Sequence, residues 1–237
     1  ESTAETAEKA KMALKAQRKS QARNTENTVP RPLRIAVTGG AGSGKSTVCL
    51  YLQQLGAFVV DLDRLSREAV APGSAGIQEV IRRFGKGIVA DDGRLDRARL
   101  RKIIVSDPQA RRDLEAIVHP KVLGRMQQEM DEAESAGARL LVAEVPLLFE
   151  AGLEAAFDRV VVVAAPEAQR ISRLVERDAV DAGQAAALIG VQMPESEKTR
   201  RADFVIENRG RPEKMLPVIE RLYLRLAAKP EKDGKSA

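Results

Sequence analysis

Eight consecutive residues, Gly39-Gly40-Ala41-Gly42-Ser43-Gly44-Lys45-Ser46, bring three kinds of chemistry into one short stretch. The glycines let successive backbone N–H groups curl toward a single point, where side chains would obstruct the approach. Lys45 adds a mobile ammonium, and Ser46, followed by Thr47, adds a hard hydroxyl oxygen. The stretch matches G-x-x-x-x-G-K-[ST] without a departure, the pattern that cradles the phosphates of a nucleoside triphosphate. Such a cradle requires a strand before it and a helix after it, because the positive end of the helix faces the same anion. In that setting Lys45 reaches the outer phosphates and Ser46 ligates Mg²⁺.

Two carboxylates, Asp61 and Asp63, follow the apolar run Ala57 to Val60. The carboxyl ends of strands in an open α/β sheet face the ligand crevice. An acceptor hydroxyl must be aligned with phosphorus and lose its proton, so a carboxylate there is chemically apt. The competing reading makes Asp63 the N-cap of a helix starting at Arg64. Further on, Arg170, Arg173 and Arg177 stand at i, i+3, i+7 and share one helical face. A row of arginines can neutralise charge that develops on a transferred phosphoryl group. For Arg170 the expectation is different: a solvated side chain paired with Glu167 and Glu176. Lys198 and Arg201 are weaker candidates of the same kind.

These groups need a scaffold, and the apolar pattern supplies one. Leu33 to Thr38 reads as a short buried strand, and Lys45 to Leu55 as a helix with Val48, Leu52 and Leu55 on one face. Gly56 stands where a helix-ending glycine belongs. Ala57 to Asp61, Leu140 to Val145 and Arg159 to Val163 read as further strands, with a weaker one at Asp203 to Ile206. Strands alternating with helices predict an α/β fold, a five-stranded parallel sheet flanked by helices. About eighty residues separate the second strand from the third, far more than one crossover needs. A helical insertion is therefore expected at about 64–136, and a second, basic excursion at about 167–201. The folded part is placed at 33–225, with tails at 1–32 and 226–237.

Composition narrows the class. The chain has 237 residues, 43% of them apolar, which excludes a wholly disordered chain. The net charge is +5, and residues 1–32, with seven basic and four acidic side chains, supply +3 of it. The basic excess thus does not mark the folded part, and no nucleic-acid partner is expected. No apolar run is long enough to span a membrane, and no membrane partner is expected. One cysteine, Cys49, excludes a disulfide framework, and one histidine, His119, excludes a multi-histidine metal site. The 1–32 segment lacks the apolar core of a secretory signal. A reducing compartment, the cytoplasm, is the expected location. Nothing in the sequence fixes an oligomeric state.

The absence of Asn-Lys-x-Asp, His-Arg-Asp and Asp-Phe-Gly argues against a GTPase and a protein kinase. What remains is a small P-loop kinase. The blocks Thr38 to Thr47, Leu55-Gly56-Ala57, Val60-Asp61-Leu62-Asp63, His119-Pro120 and Val145-Pro146-Leu147-Leu148-Phe149-Glu150 closely resemble the dephospho-CoA kinase family. So do Arg177-Asp178, Ala202-Asp203-x-Val205-Ile206 and Asn208-x-Gly210. The match runs in order over about residues 33–225. It implies a P-loop kinase fold with an acceptor-binding insertion and a lid, moving the γ-phosphate of ATP, with Mg²⁺, to the ribose 3′-hydroxyl of dephospho-CoA.

Carried over residue by residue, the resemblance gives Asp63 the acceptor hydroxyl and makes Arg173 and Arg177 the lid pair. Gly40 to Thr47 hold the nucleotide phosphates, while Asn208 and Gly210 offer backbone to adenine. Glu144 stands where many relatives carry Asp, beside the metal with Ser46. Asp61, Arg97, His119 and Pro146 are assigned to the acceptor, with Arg111 and Arg112 as weaker partners for its diphosphate. Cys49 is expected in the core. Two other readings compete: a nucleoside or nucleoside-monophosphate kinase with a different acceptor pocket, and a nucleotide-gated sensor without turnover. The 1–32 segment has readings of its own, as a linker or as a docking arm for a partner or nucleic acid.

Overall fold

The structure, a computed structural model, describes residues 31–228. Residues 1–30 and 229–237, which carry most of the two expected tails, lie outside the described residues. In chain order the elements are β1 (Leu33–Thr38), α1 (Lys45–Gln54), β2 (Phe58–Asp61), α2 (Leu62–Ala69), α3 (Ala75–Phe84), α4 (Arg97–Ser106) and α5 (Pro108–Ser135). There follow β3 (Leu140–Glu144), β4 (Arg159–Ala164), α6 (Glu167–Asp178), α7 (Ala182–Gly190), α8 (Glu195–Arg200), β5 (Phe204–Glu207) and α9 (Leu216–Ala227).

β1 is buried from Arg34 to Thr38, as a strand must be when helices cover both faces of its sheet. It lies in the middle of a five-stranded parallel sheet ordered β2-β3-β1-β4-β5. Its register is Leu33 opposite Leu140 and Val37 opposite Glu144 on one side, and Ile35 opposite Arg159 on the other. The alternation of strands and helices therefore gave the right fold class. On one face of the sheet Ile35, Val37, Val142, Val161 and Val163 meet Val48, Cys49 and Leu52 of α1 and Ile219, Leu222 and Leu226 of α9. Cys49 is core packing, as expected. Leu226 is buried in the same core, so the folded chain continues past the expected boundary at 225. At the other end Arg31 binds Asp158 at 2.6 Å, so its side chain is part of the folded body rather than of a tail.

The end of α1 follows from its residues. Gly56 takes the left-handed backbone at φ 104°, and Ala57 N–H reaches the Leu52 carbonyl at 3.0 Å. A glycine in this conformation lets the chain reverse and satisfy carbonyls the helix leaves open.

The chain divides into two compact units: residues 61–131, and the rest of the described chain. The 61–131 unit has its own small core, with Val70, Val80 and Ile88 buried among Phe84, Leu95, Ile103, Leu114 and Ile117. Its helices are capped by side chains: Ser74 Oγ accepts from Ile77 N–H at 3.1 Å, and Asp96 Oδ1 from Arg99 N–H at 3.0 Å. α5 is one helix of 28 residues with Pro120 inside it, a residue that has no N–H for the helical ladder.

Candidate active site

α1 begins at Gly44, which has no side chain to cap it, and no acidic residue occupies the first turn. The first amides of a helix have no partner within it, so these remain available to an anion. The glycines are required here for two reasons. Gly42 and Gly44 adopt φ 71° and 100°, and their neighbours leave no room. A Cβ on Gly42 would lie 2.7 Å from the Arg170 carbonyl oxygen, and one on Gly44 would lie 2.4 Å from Asn208 Nδ2. Other parts of the chain pack directly on the loop backbone.

Lys45 Nζ donates to the carbonyls of Gly39 at 3.2 Å and Gly40 at 3.1 Å. The register of β1 with β3 carries Glu144 to the base of the loop, and Ser46 Oγ donates to Glu144 Oε1 at 2.8 Å. A hydroxyl and a buried carboxylate, side by side where the helix begins, are the hard oxygen donors that Mg²⁺ prefers. Among the described residues no group of three or more acidic, histidine or cysteine side chains is placed to hold a metal. Two such donors, Ser46 and Glu144, suit an ion that takes its other ligands from substrate phosphates and water.

The arginines part company. Arg170 is 5% exposed, and its Nε donates to the Ala41 carbonyl at 2.9 Å while Nη1 lies 3.5 Å from Glu195. The expectation of a solvated Arg170 paired with Glu167 and Glu176 is corrected: the face of α6 that looked surface-like lies against the loop. Arg173 Nη1 donates to the carbonyls of Gly42 and Ser43 at 3.1 and 3.4 Å, and Nη2 to Asn208 Oδ1 at 3.1 Å. Arg177, one turn further, is exposed and forms a fork with Asp178, both bonds 2.7 Å.

Asn208 is buried, and its Nδ2 donates to the Ser43 carbonyl at 2.8 Å. Its own N–H is taken by Ala164 O at 2.7 Å, so its backbone donor is not left for an adenine. The backbone group it can still offer is its carbonyl, and its side chain braces the loop. Gly210 lies beyond it on an exposed turn, and Pro146 is half-buried just past the end of β3. Lys198 is fully buried, its Nζ 2.8 Å from Glu150. Burial pushes the Glu150 carboxyl up, but Lys198 and the backbone N–H groups of Glu150 and Met193 outweigh it and hold it below the usual carboxylate range. Arg201 pairs with Glu154 and lies over the Phe149 ring, 4.6 Å from its centre.

Asp61, Asp63, Arg97 and His119 belong to the 61–131 unit. The cap of α2 is Asp61, whose Oδ1 accepts from the N–H groups of Asp63 at 2.8 Å and Arg64 at 3.2 Å. Asp63 is exposed in the first helical turn, and its carboxylate takes no part in capping. Arg97 is exposed at the start of α4 and forms no ion pair among the described residues, whereas Arg111 is held by Glu115 at 2.8 Å. His119 is half-buried on α5; burial pushes its pKa below the ordinary value, Glu115 opposing the shift and Arg111 adding to it.

Sequence reasoning missed Gln192 and Glu195. Gln192 Oε1 accepts from Ala41 N–H at 2.9 Å, and Glu195 Oε2 from Ala165 N–H at 3.2 Å. Neither sits in a chemical motif. The one signal was the concentration of polar residues in a short stretch that also contains the fully buried Lys198.

The sequence model of the dephospho-CoA kinase family matches residues 33–213. A dephospho-CoA kinase of Anaeromyxobacter dehalogenans is 45% identical over 188 residues, which cover 79% of this chain and 89% of that protein. One from Syntrophotalea carbinolica is 43% identical over 194 residues, covering 82% and 92%. Among solved structures, a Thermus thermophilus protein superposes with a TM-score of 0.73 at 36% identity, over 83% of this chain and 99% of that one. The dephospho-CoA kinase of Campylobacter jejuni has the same fold, with a TM-score of 0.61 at 23% identity over 82% and 96%.

Proposed function

The chain belongs to the dephospho-CoA kinase family and is an ATP-dependent kinase of the last step of coenzyme A synthesis, and within that reaction we propose the following division of labour. The 39–47 loop holds the phosphates of ATP through its backbone N–H groups, and Lys45 leaves its two loop carbonyls to follow the outer phosphates. Ser46 and Glu144 would hold Mg²⁺, which when bound neutralises charge on the phosphate oxygens. Arg173 stabilises charge on the phosphoryl group in flight. Arg177 joins it after leaving Asp178, with α6 to α8 as the lid. Asp63 accepts the proton of the ribose 3′-hydroxyl, and Asp61 holds the turn that presents it.

Arg97, with no carboxylate partner among the described residues, serves the acceptor's phosphates. His119 and Pro146 are each assigned to the acceptor; a depressed pKa favours the neutral form of His119 and suits it to packing and hydrogen bonding rather than to proton transfer. Residues 61–131 contribute the acceptor half of the reaction. The cytoplasm is the proposed location, and no helix among the described residues is long and apolar enough to cross a membrane.

The observation that carries this reading is the gathering of Lys45, the Ser46–Glu144 pair and Arg173 on one glycine loop, in a chain that matches the family over residues 33–213. Purified protein with ATP, Mg²⁺ and dephospho-CoA, followed by chromatography, should form ADP and coenzyme A in step. ADP without coenzyme A would overturn the acceptor assignment.

A further inference from the structure

Ala41, in the middle of the phosphate loop, is gripped on both of its backbone groups by residues from beyond β4. Arg170 Nε donates to its carbonyl at 2.9 Å, and Gln192 Oε1 accepts from its N–H at 2.9 Å. A backbone N–H can be met only by an acceptor, so this bond settles which way the Gln192 amide faces. Oε1 is turned to the loop, and Nε2, on the other branch of the same planar group, keeps two donors that meet no acceptor among the described residues. An oriented pair of N–H donors at the edge of an anion-binding loop is chemically complementary to phosphate oxygens.

The side chain is held in place from both directions along the chain. Gln192 N–H reaches the Ile189 carbonyl at 3.1 Å, fixing the residue to the end of α7. The next N–H, of Met193, donates to Glu150 Oε1 at 3.1 Å, and Glu150 is paired with the fully buried Lys198. Glu195 meets Arg170, which itself holds Ala41. Gln192 is thus anchored through the Glu150–Lys198 pair, while the Glu195–Arg170 pair holds the same loop residue, Ala41, from its carbonyl side. Buried charges fixed in this way pre-organise what they support.

We propose that Gln192 is a phosphoryl-contacting residue of the nucleotide site: Oε1 stays on Ala41 N–H, and Nε2 donates to an oxygen of the terminal phosphoryl group of ATP. The proposal rests on reading the 39–47 loop as the ATP site. The helix-end amides and Lys45 serve the phosphates near the start of α1. Ala41 lies upstream of them, on the other arm of the loop, where a donor from the 167–201 segment serves the group that is transferred. ADP lacks that group, so Gln192 distinguishes triphosphate from diphosphate.

The test compares the full-length chain with Gln192→Ala and Gln192→Glu. Calorimetry with the non-hydrolysable β,γ-imido analogue of ATP and with ADP gives the ratio of the two affinities, and steady-state turnover gives kcat. Gln192→Ala should lower triphosphate affinity and kcat by roughly 10-fold or more, the weight of a hydrogen bond to a charged group, with ADP affinity unchanged. Gln192→Glu keeps an acceptor for Ala41 N–H but sets a negative charge against the phosphoryl oxygens, so it should be the worse variant. If Gln192 only supports the loop, Gln192→Glu will resemble the wild type, and both nucleotides will weaken together in Gln192→Ala. If Gln192 instead competes with phosphate for the loop, Gln192→Ala, which frees Ala41 N–H, will bind ADP more tightly. Either result overturns the proposal. The affinity ratio needs no acceptor, so failure of the dephospho-CoA assignment would be distinguishable from failure here.

Discussion

Arg173 of the phosphate-loop unit and the paired arginines of the 61–131 unit are used differently. In the phosphate-loop unit, Arg173 gives its hydrogen bonds to neutral oxygens: two loop carbonyls and the side chains of Gln169 and Asn208. In the 61–131 unit, Arg64 sits between Glu68 and Glu129, Arg83 meets Asp113, and Arg111 meets Glu115. A guanidinium held by carbonyls is fixed in place yet keeps its full charge. One held by a carboxylate is fixed and neutralised. The first arrangement stores a positive field for an incoming anion, and the second stores stability. Asp63 is the counterpart in the 61–131 unit: its carboxylate engages no arginine and no cap among the described residues.

The contrast can be broken at each point. The largest effect is expected from Asp63→Asn, which should lower kcat by about 10²- to 10⁴-fold, the range for a lost general base, without moving the thermal midpoint. Steady-state assays beside a melting curve check it; near-normal turnover would remove Asp63 from the mechanism. Arg173→Ala should cost roughly 10²-fold in kcat, because an oriented positive donor at a transferring phosphate is worth that much. Arg177→Ala should cost less, about 10-fold, since this arginine must first give up its fork with Asp178. Equal losses would erase the distinction between the two.

A smaller and opposite signature is expected in the other unit. Arg64→Ala leaves Glu129, which is 9% exposed, with Arg125 at 3.4 Å as its one cationic partner among the described residues. Arg64 is itself well exposed, so solvent screening limits the loss to about 1 kcal/mol. Urea midpoints should fall while kcat hardly changes. The smallest effect concerns His119. Its pKa is depressed in the folded chain by burial, so the unfolded chain binds the proton first. Stability contributed by the neutral form is therefore present above about pH 6.5 and is lost as pH falls below it through the lower folded pKa. Urea midpoints at pH 7.5 and 5.5 should converge more closely in His119→Gln than in the wild type.

The phosphate loop, β1 and α1 were legible because their signals are local: a motif, an apolar run and a helical face within twenty residues. The five-stranded parallel sheet followed from alternation alone. The arginine row shows where periodicity stops. Residues 170, 173 and 177 do share a face, but spacing says nothing about depth, and Arg170 lies deepest although it looked like the solvated member. The competing reading that capped α2 with Asp63 was two residues off, because Asp61 and Asp63 are equivalent to a composition argument and only the backbone path selects Asp61. Gln192, and the side-chain contact of Asn208 with the loop, were hidden for a related reason. Their partners lie 151 and 165 residues away in sequence, at Ala41 and Ser43, and an amide side chain carries no motif to announce a distant backbone group.

Cys49, the single thiol of the chain, sits on α1 four residues after Lys45 and is 3% exposed. Thiol reagents attack only an accessible thiolate, so Cys49 is a chemical clock for the opening of the core beneath the phosphate loop. Labelling followed by mass spectrometry reads one site with no background from a second thiol. Its rate, divided by that of an unprotected thiol, gives the free energy of that opening, and ATP should slow it as the unoccupied fraction falls. The enzyme therefore carries its own probe of how firmly the nucleotide-binding half is closed, and no residue need be altered to use it.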